Sequence, residues 1–366
     1  MWDEWHVVWD RAAGAMVGGA AARLLLGEDP QPAEEYLAGI GGEAREAIRD
    51  LTAGPRELPG TPLARHWAAA VQRGVVDGIL PDPVFPDSAH PAAVGWRAAA
   101  ETPTPPLDLA RGLFPCTQLT AAVQRAYTQG GLAAAQYAGV LAGARWGVSA
   151  IPLSVQRELA AATPQRVLVT AALVAARGPD PAAWPQRDTQ VVPGLDREHR
   201  QPFAIPHPHD PGVVLCTMEY VRDSTDADAV VSLCRMGTRD HPPHLPRRDI
   251  VEVWLHDLPG ANPNLHFVLD EAARMVAQLR DENKRVLLHC AACQSRTPAV
   301  AARYASAYRG ADVVAALREI ITTVAGHLNN PELSRAAAEL AGVELPDPAA
   351  VLFPEGLPTL TRAPRI

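Results

Sequence analysis

The sequence predicts an all-α amino-terminal part followed by an α/β domain, whose central and mainly parallel sheet is flanked by helices. Three observations carry this fold class. Up to residue 177, alanine-rich stretches place apolar residues at helical spacing. From 178 to 200, GPDPAAWPQRDTQVVPGLDREHR combines proline and charge without any period, as a linker does. After 200, short β-branched runs alternate with amphipathic stretches, the pattern of strands covered by helices. The expected boundaries are therefore 1–177, 178–200 and 201–346, with a proline-rich tail at 347–366.

In the first part the helical stretches are RAAGAMVGGAAARLLL, PLARHWAAAVQRGVVDGIL and GLAAAQYAGVLAGARWGVSAIP. Gly14, Gly18 and Gly19 in the first, and Gly139, Gly143 and Gly147 in the third, recur about one turn apart. Glycine inside a helix costs about 1 kcal/mol against alanine, so this spacing predicts two helices in close approach. In the second part, GVVLCTM, ADAVVSLCRMG, DIVEVWLHDLPG and RVLLHC read as strands. NLHFVLDEAARMVAQLRDENK, TPAVAARYASAYRG, ADVVAALREIITTVAGHL and PELSRAAAELAG read as helices. The first of these carries Asp270 and Glu271 early and basic residues late, as the helix dipole prefers.

Composition narrows the function classes. A chain of 366 residues, 48% of them hydrophobic, can bury two cores and is not intrinsically disordered. Its 35 prolines fall between periodic segments and punctuate loops. A net charge of −8 without like-charge blocks argues against nucleic acid or an acidic membrane as partner, while leaving room for a locally positive phosphate site. The start, MWDEWHVVWD, lacks the basic and then apolar pattern of a secretory signal, and no apolar run reaches the length of a membrane span. Five cysteines do not suggest a disulfide framework. The expected setting is the cytoplasm.

The segment HCAACQSRTP, residues 289–298, joins a predicted strand to a predicted helix. A strand end of an open α/β sheet is where ligands bind. The N–H groups of Ala291, Ala292, Cys293, Gln294, Ser295 and Arg296 would turn inward there, with the next helix pointing its positive end at the same place. The Arg296 guanidinium matches two phosphate oxygens. Such a field lowers a cysteine pKa from about 8.5, making Cys290 a nucleophile aimed at phosphorus. Two other readings use the same residues. Cys290 and Cys293 could form a redox pair, which gives Arg296 no role. His289, Cys290 and Cys293 could bind zinc with Cys216, Cys234, His207 or His209, but no second Cys-x-x-Cys accompanies them. Cys116, Cys216 and Cys234 sit in apolar runs and read as buried small side chains. His241, His244, Arg239, Arg247 and Arg248 are expected in a loop near the sheet's carboxyl edge, either solvated or assisting an anionic substrate.

The spacing of His289, Cys290, Arg296 and Thr297 resembles the active-site signature of cysteine-dependent phosphatases of the dual-specificity class. On that resemblance Cys290 is the nucleophile, Arg296 binds phosphate, the Thr297 hydroxyl helps the thiolate leave, and His289 helps set the thiol's pKa. Asp257, in VEVWLHDLPGANPNLHF about 30 residues upstream and expected at a strand end, matches the general acid. The resemblance covers about 201–346. It departs at Cys293, where the family carries glycine; if that position needs a positive φ, a cysteine there is strained by order 1 kcal/mol.

In the first part, DRAAGAMVGGAAARLLLGE and AAQYAGVLAGARWGVSAIP resemble two helices of ADP-ribosylglycohydrolases, which hold magnesium through acidic motifs. The segment TQGGLAAA, residues 128–135, carries no carboxylate where one such motif is expected. The resemblance thus implies a non-catalytic helical module.

The expectation is a phosphatase acting on phosphorylated protein or on a small phosphate ester, without metal or other cofactor. The competing readings are a non-catalytic phosphate- or ADP-ribose-related binding scaffold, or a metal-dependent ADP-ribosyl hydrolase acting through the first half.

Overall fold

The computed structural model describes residues 2–51, 60–162, 165–178, 180, 202–237 and 240–357. The expected 178–200 linker lies almost wholly outside these, as do Arg239 and residues 358–366 of the tail. The chain divides into two compact units, Met1–Leu107 with Leu113–Arg187, and Asp108–Gly112 with Asp188–Ile366. The division near 187 falls inside the expected linker. That 108–112 group with the second unit has no signal in the composition.

The first unit is helical, as expected. Its helices are α1 (Trp2–Leu25), α2 (Ala33–Ala38), α3 (Ile40–Ala47), α4 (Pro62–Asp77), α5 (Pro91–Glu101), α6 (Gln118–Trp146), α7 (Leu153–Ala162) and α8 (Gln165–Arg177). Proline stands at the start of α4 and α5, where its missing N–H costs nothing. Thr61 caps α4 by accepting from the Ala64 N–H at 3.2 Å. The close approach predicted from glycine spacing is the packing of α1 on α6. A Cβ on Gly14 would overlap the backbone of Gly143 and Gly147, and one on Gly18 would overlap that of Gly139. The alanines on both helices, Ala15, Ala22, Ala135 and Ala142 among them, are wholly buried. α6 is interrupted at Gly131, whose φ of 73° and ψ of −167° are not helical.

The second unit is the α/β layer. Its elements run β1 (Ala204–His207), β2 (Asp210–Thr217), α9 (Met218–Asp223), β3 (Ala229–Ser232), β4 (Ile250–Glu252), α10 (Leu265–Asp281), β5 (Val286–Cys290), α11 (Arg296–Tyr308), α12 (Val313–Thr323), α13 (Pro331–Glu339) and α14 (Pro348–Leu352). The sheet order is β1-β2-β5-β3-β4. β1 runs antiparallel to β2, and every other pairing is parallel. β3 and β5 are buried along their whole length, as strands covered on both faces must be. β5 sits between β2 and β3, so its carboxyl end opens at the middle of the sheet.

Three details differ from expectation. β4 stops at Glu252, so Asp257 stands in a turn beyond the strand and not at its end. Asp270 lies past the first turn of α10 and pairs with Arg303 of α11 at 2.7 Å instead of meeting the helix dipole. The tail begins with a helix, α14, capped by the Asp347 carboxylate.

Candidate active site

Cys290 is the last residue of β5 and 2% exposed. The loop that follows is tied down on two sides. Met218 donates its N–H to the Ala291 carbonyl at 3.2 Å, and His327 donates to the Gln294 carbonyl at 3.0 Å. The Gln294 side chain returns a bond to the Ala325 carbonyl at 2.9 Å. Cys293 is fully buried and has a φ of 57°, the left-handed conformation that glycine adopts without strain. The loop thus keeps a turn that asks for glycine and carries a cysteine in it.

Arg296 opens α11. Its Nη1 donates to the carbonyls of Leu233, just past β3, at 2.6 Å and of Leu255, past β4, at 3.2 Å. These bonds anchor one corner of the guanidinium. Its buried Nε has no hydrogen-bond partner and lies 3.8 Å from the Asp257 Oδ2. A buried N–H that makes no hydrogen bond, on a permanent cation, is suited to an incoming anion.

The Cys290 thiol is held below the ordinary thiol range. Burial pushes it up, but the Arg296 guanidinium and the Thr297 hydroxyl and N–H outweigh burial, with Asp257 opposing them slightly. Thr297 is fully buried, and its hydroxyl makes no hydrogen bond; it is among the groups that lower the Cys290 pKa. Other cysteines shift the opposite way: burial pushes Cys116 and Cys234 to about 12 and Cys216 well above its ordinary value. All five cysteines are free thiols.

His289 is brought next to Cys290, yet it carries no charge. Burial lowers its pKa to about 3. Its Nδ1 lies 3.3 Å from the Cys290 carbonyl and its Nε2 2.7 Å from the Ser232 hydroxyl. A carbonyl only accepts, so Nδ1 carries the proton and Nε2 accepts from Ser232. His289 therefore fixes the backbone at Cys290 instead of supplying a cation. Ser232 was not singled out from the sequence; a serine inside an otherwise apolar buried strand was the available signal.

Asp257 is brought over the loop. The Ser295 hydroxyl donates to its Oδ1 at 2.7 Å. The turn that carries it is clamped by Asn262, which accepts from the His256 N–H at 2.8 Å and donates to the His256 carbonyl at 2.9 Å. Gly260 adds a bond from its N–H to Glu332 on α13 at 2.8 Å.

The second group of basic residues lies elsewhere. His244 bonds the Ala227 carbonyl at 3.0 Å, and Arg247 and Arg248 are exposed in the turn leading into β4. These segments enter β3 and β4 at their amino ends, the opposite edge from Cys290. This corrects the expected placement at the carboxyl edge for His244, Arg247 and Arg248. His241 is at the expected edge, 3.7 Å from Glu252, the last residue of β4. Among the described residues, no group of three or more His, Cys, Asp or Glu side chains is placed to hold a metal ion, and no single helix is long and apolar enough to cross a membrane.

No protein-family model, curated protein or solved structure matches this chain significantly.

Proposed function

We propose that the second unit is a cysteine-dependent phosphatase of the dual-specificity type, hydrolysing a phosphate monoester on a protein or a small molecule. The observation that carries this reading is a thiol held below its ordinary range at a strand end, beside an anchored arginine whose Nε makes no hydrogen bond and an aspartate 3.8 Å from that Nε. The Cys290 thiolate attacks phosphorus; an S–P bond forms as the ester P–O bond breaks. The electron pair leaves on the ester oxygen, which takes a proton from Asp257. Arg296, the helix N-terminus and the N–H groups of 291–296 bear the charge on the three remaining oxygens. Asp257 then removes a proton from water, which attacks phosphorus and expels the thiolate, aided by the Thr297 hydroxyl. No step calls on a metal or organic cofactor.

The test is hydrolysis of an aryl phosphate by the whole protein without added metal. Cys290→Ser is expected to abolish turnover. Asp257→Ala is expected to slow it by about 10²–10⁴ on a poor leaving group. Turnover by Cys290→Ser would remove the nucleophile assignment.

The first unit is proposed as an ADP-ribosylglycohydrolase-like module without catalysis. This rests on the non-helical break at Gly131, inside the segment 128–135 that bears no carboxylate, since magnesium takes oxygen ligands. Magnesium-dependent release of ADP-ribose by the purified protein would overturn it. A reducing cytoplasm suits the five free thiols, and the proposed partners are phosphorylated substrates, with neither nucleic acid nor membrane.

A further inference from the structure

Ser295 is the residue immediately before α11, the position from which a serine ordinarily accepts a hydrogen bond from its own helix. Its side chain makes no such bond. It is 92% buried by its 8% exposure, and its hydroxyl points the other way, to the Asp257 Oδ1 at 2.7 Å. The aspartate needs this contact. It sits in an exposed turn five residues beyond the end of β4, and the Asn262 clamp fixes the backbone at His256 but not the Asp257 side chain. With Oδ1 engaged by Ser295, Oδ2 is the oxygen turned toward Arg296 Nε and the seat of the phosphate.

We propose that Ser295 is a positioning residue for Asp257, selecting Oδ2 as the oxygen that carries the proton. The inference rests on the phosphatase reading above. The contact serves both forms of the acid. In the protonated form Oδ1 is the carbonyl oxygen and accepts from Ser295, while Oδ2–H faces the leaving oxygen. In the carboxylate form Ser295 still donates to Oδ1, and Oδ2 is free to take the proton from water. The helix start forgoes the cap that this serine would give by bonding its own N–H groups, which marks the bond to Asp257 as the one the site retains.

The experiment compares an aryl phosphate with a good leaving group, 4-nitrophenyl phosphate, and one with a poor leaving group, phenyl phosphate, on the whole protein. Ser295→Ala and Ser295→Gly are measured alone and in an Asp257→Ala background. Glycine is better tolerated than alanine at a helix start, so it guards against a folding defect in the alanine variant. A departing phenoxide that is already stable needs little protonation. The expected result is a loss on phenyl phosphate about tenfold greater than on 4-nitrophenyl phosphate, with no further loss once Asp257 is gone. Ser295→Thr, which keeps the hydroxyl, is expected to restore the wild-type ratio. Equal losses on both substrates, or a loss that persists in the Asp257→Ala background, would overturn the role of Ser295 while leaving the nucleophile intact. Full activity in Cys290→Ser, or none in the wild type, would overturn the phosphatase reading and this inference with it.

Discussion

Cys293 is the residue at which chemistry and backbone disagree. Its φ of 57° favours glycine, yet its side chain is fully buried. Two variants separate these effects, because both remove the thiol and only one relieves the backbone. Cys293→Gly is expected to be more stable than Cys293→Ala by about 1 kcal/mol in denaturant unfolding; equal stabilities would show that the turn is unstrained. At Cys290 the sign of the pKa shift sets a second outcome. The Cys290 thiol is held below its ordinary value, so alkylation by iodoacetamide should reach half its maximal rate at a lower pH than it does for a free cysteine. Arg296→Ala removes the largest influence that lowers this pKa, and should move the midpoint upward. Cys116, Cys216 and Cys234, pushed upward by burial, should stay unmodified in the folded protein. Cys290, Arg296 and Asp257 were legible as a group because each is a distinctive residue type at a telling distance along the chain. The neutral state of His289 was not, because it depends on its burial within the central strand β5 and on Ser232, 57 residues away.

At the scale of elements, the clearest sequence signal was the one-turn spacing of glycines, and it corresponds to α1 and α6 in backbone contact. Gly143→Ala would drive a methyl group into the Gly14 carbonyl. Overpacking of this kind costs about 1–3 kcal/mol, to be read as a lowered unfolding midpoint; an unchanged midpoint would mean that the helices separate readily. The same interface holds a feature the spacing does not reveal. Asp10 of α1 is buried and accepts from the Ser149 N–H at 2.9 Å and from its hydroxyl at 2.5 Å, across 139 residues of chain. Burial raises its pKa from 3.8 to about 7. Between those values the folded protein keeps a proton that the unfolded chain has lost. Stability from this group therefore falls as pH rises from 3.8 to about 7 and is level above. Asp10→Asn, which cannot ionise, should flatten that slope in unfolding measured across the interval. A slope identical to wild type would assign the pH dependence elsewhere. In the second unit, strand and helix positions were readable from period, but the early stop of β4 was not. DIVEVWL is apolar enough to pair further, and pairing is decided by the neighbouring strand, β3, which ends at Ser232.

For the molecule as a whole, two units with different characters were legible from the change of period near residue 200. The sheet order was not, since no local pattern says that β5 inserts between β2 and β3. That insertion is what matters, because it puts Cys290 at the centre of the carboxyl edge, within reach of carbonyls past β3 and β4 that anchor Arg296. The central claim is that this edge transfers a phosphoryl group to Cys290. Intact-mass and peptide mass measurement after rapid acid quench of the whole protein with an aryl phosphate tests it most directly. One added phosphoryl group is expected on the peptide bearing Cys290, accumulating in Asp257→Ala and absent in Cys290→Ser. Turnover without any phosphorylated Cys290 peptide, or with the group on another residue, would contradict it.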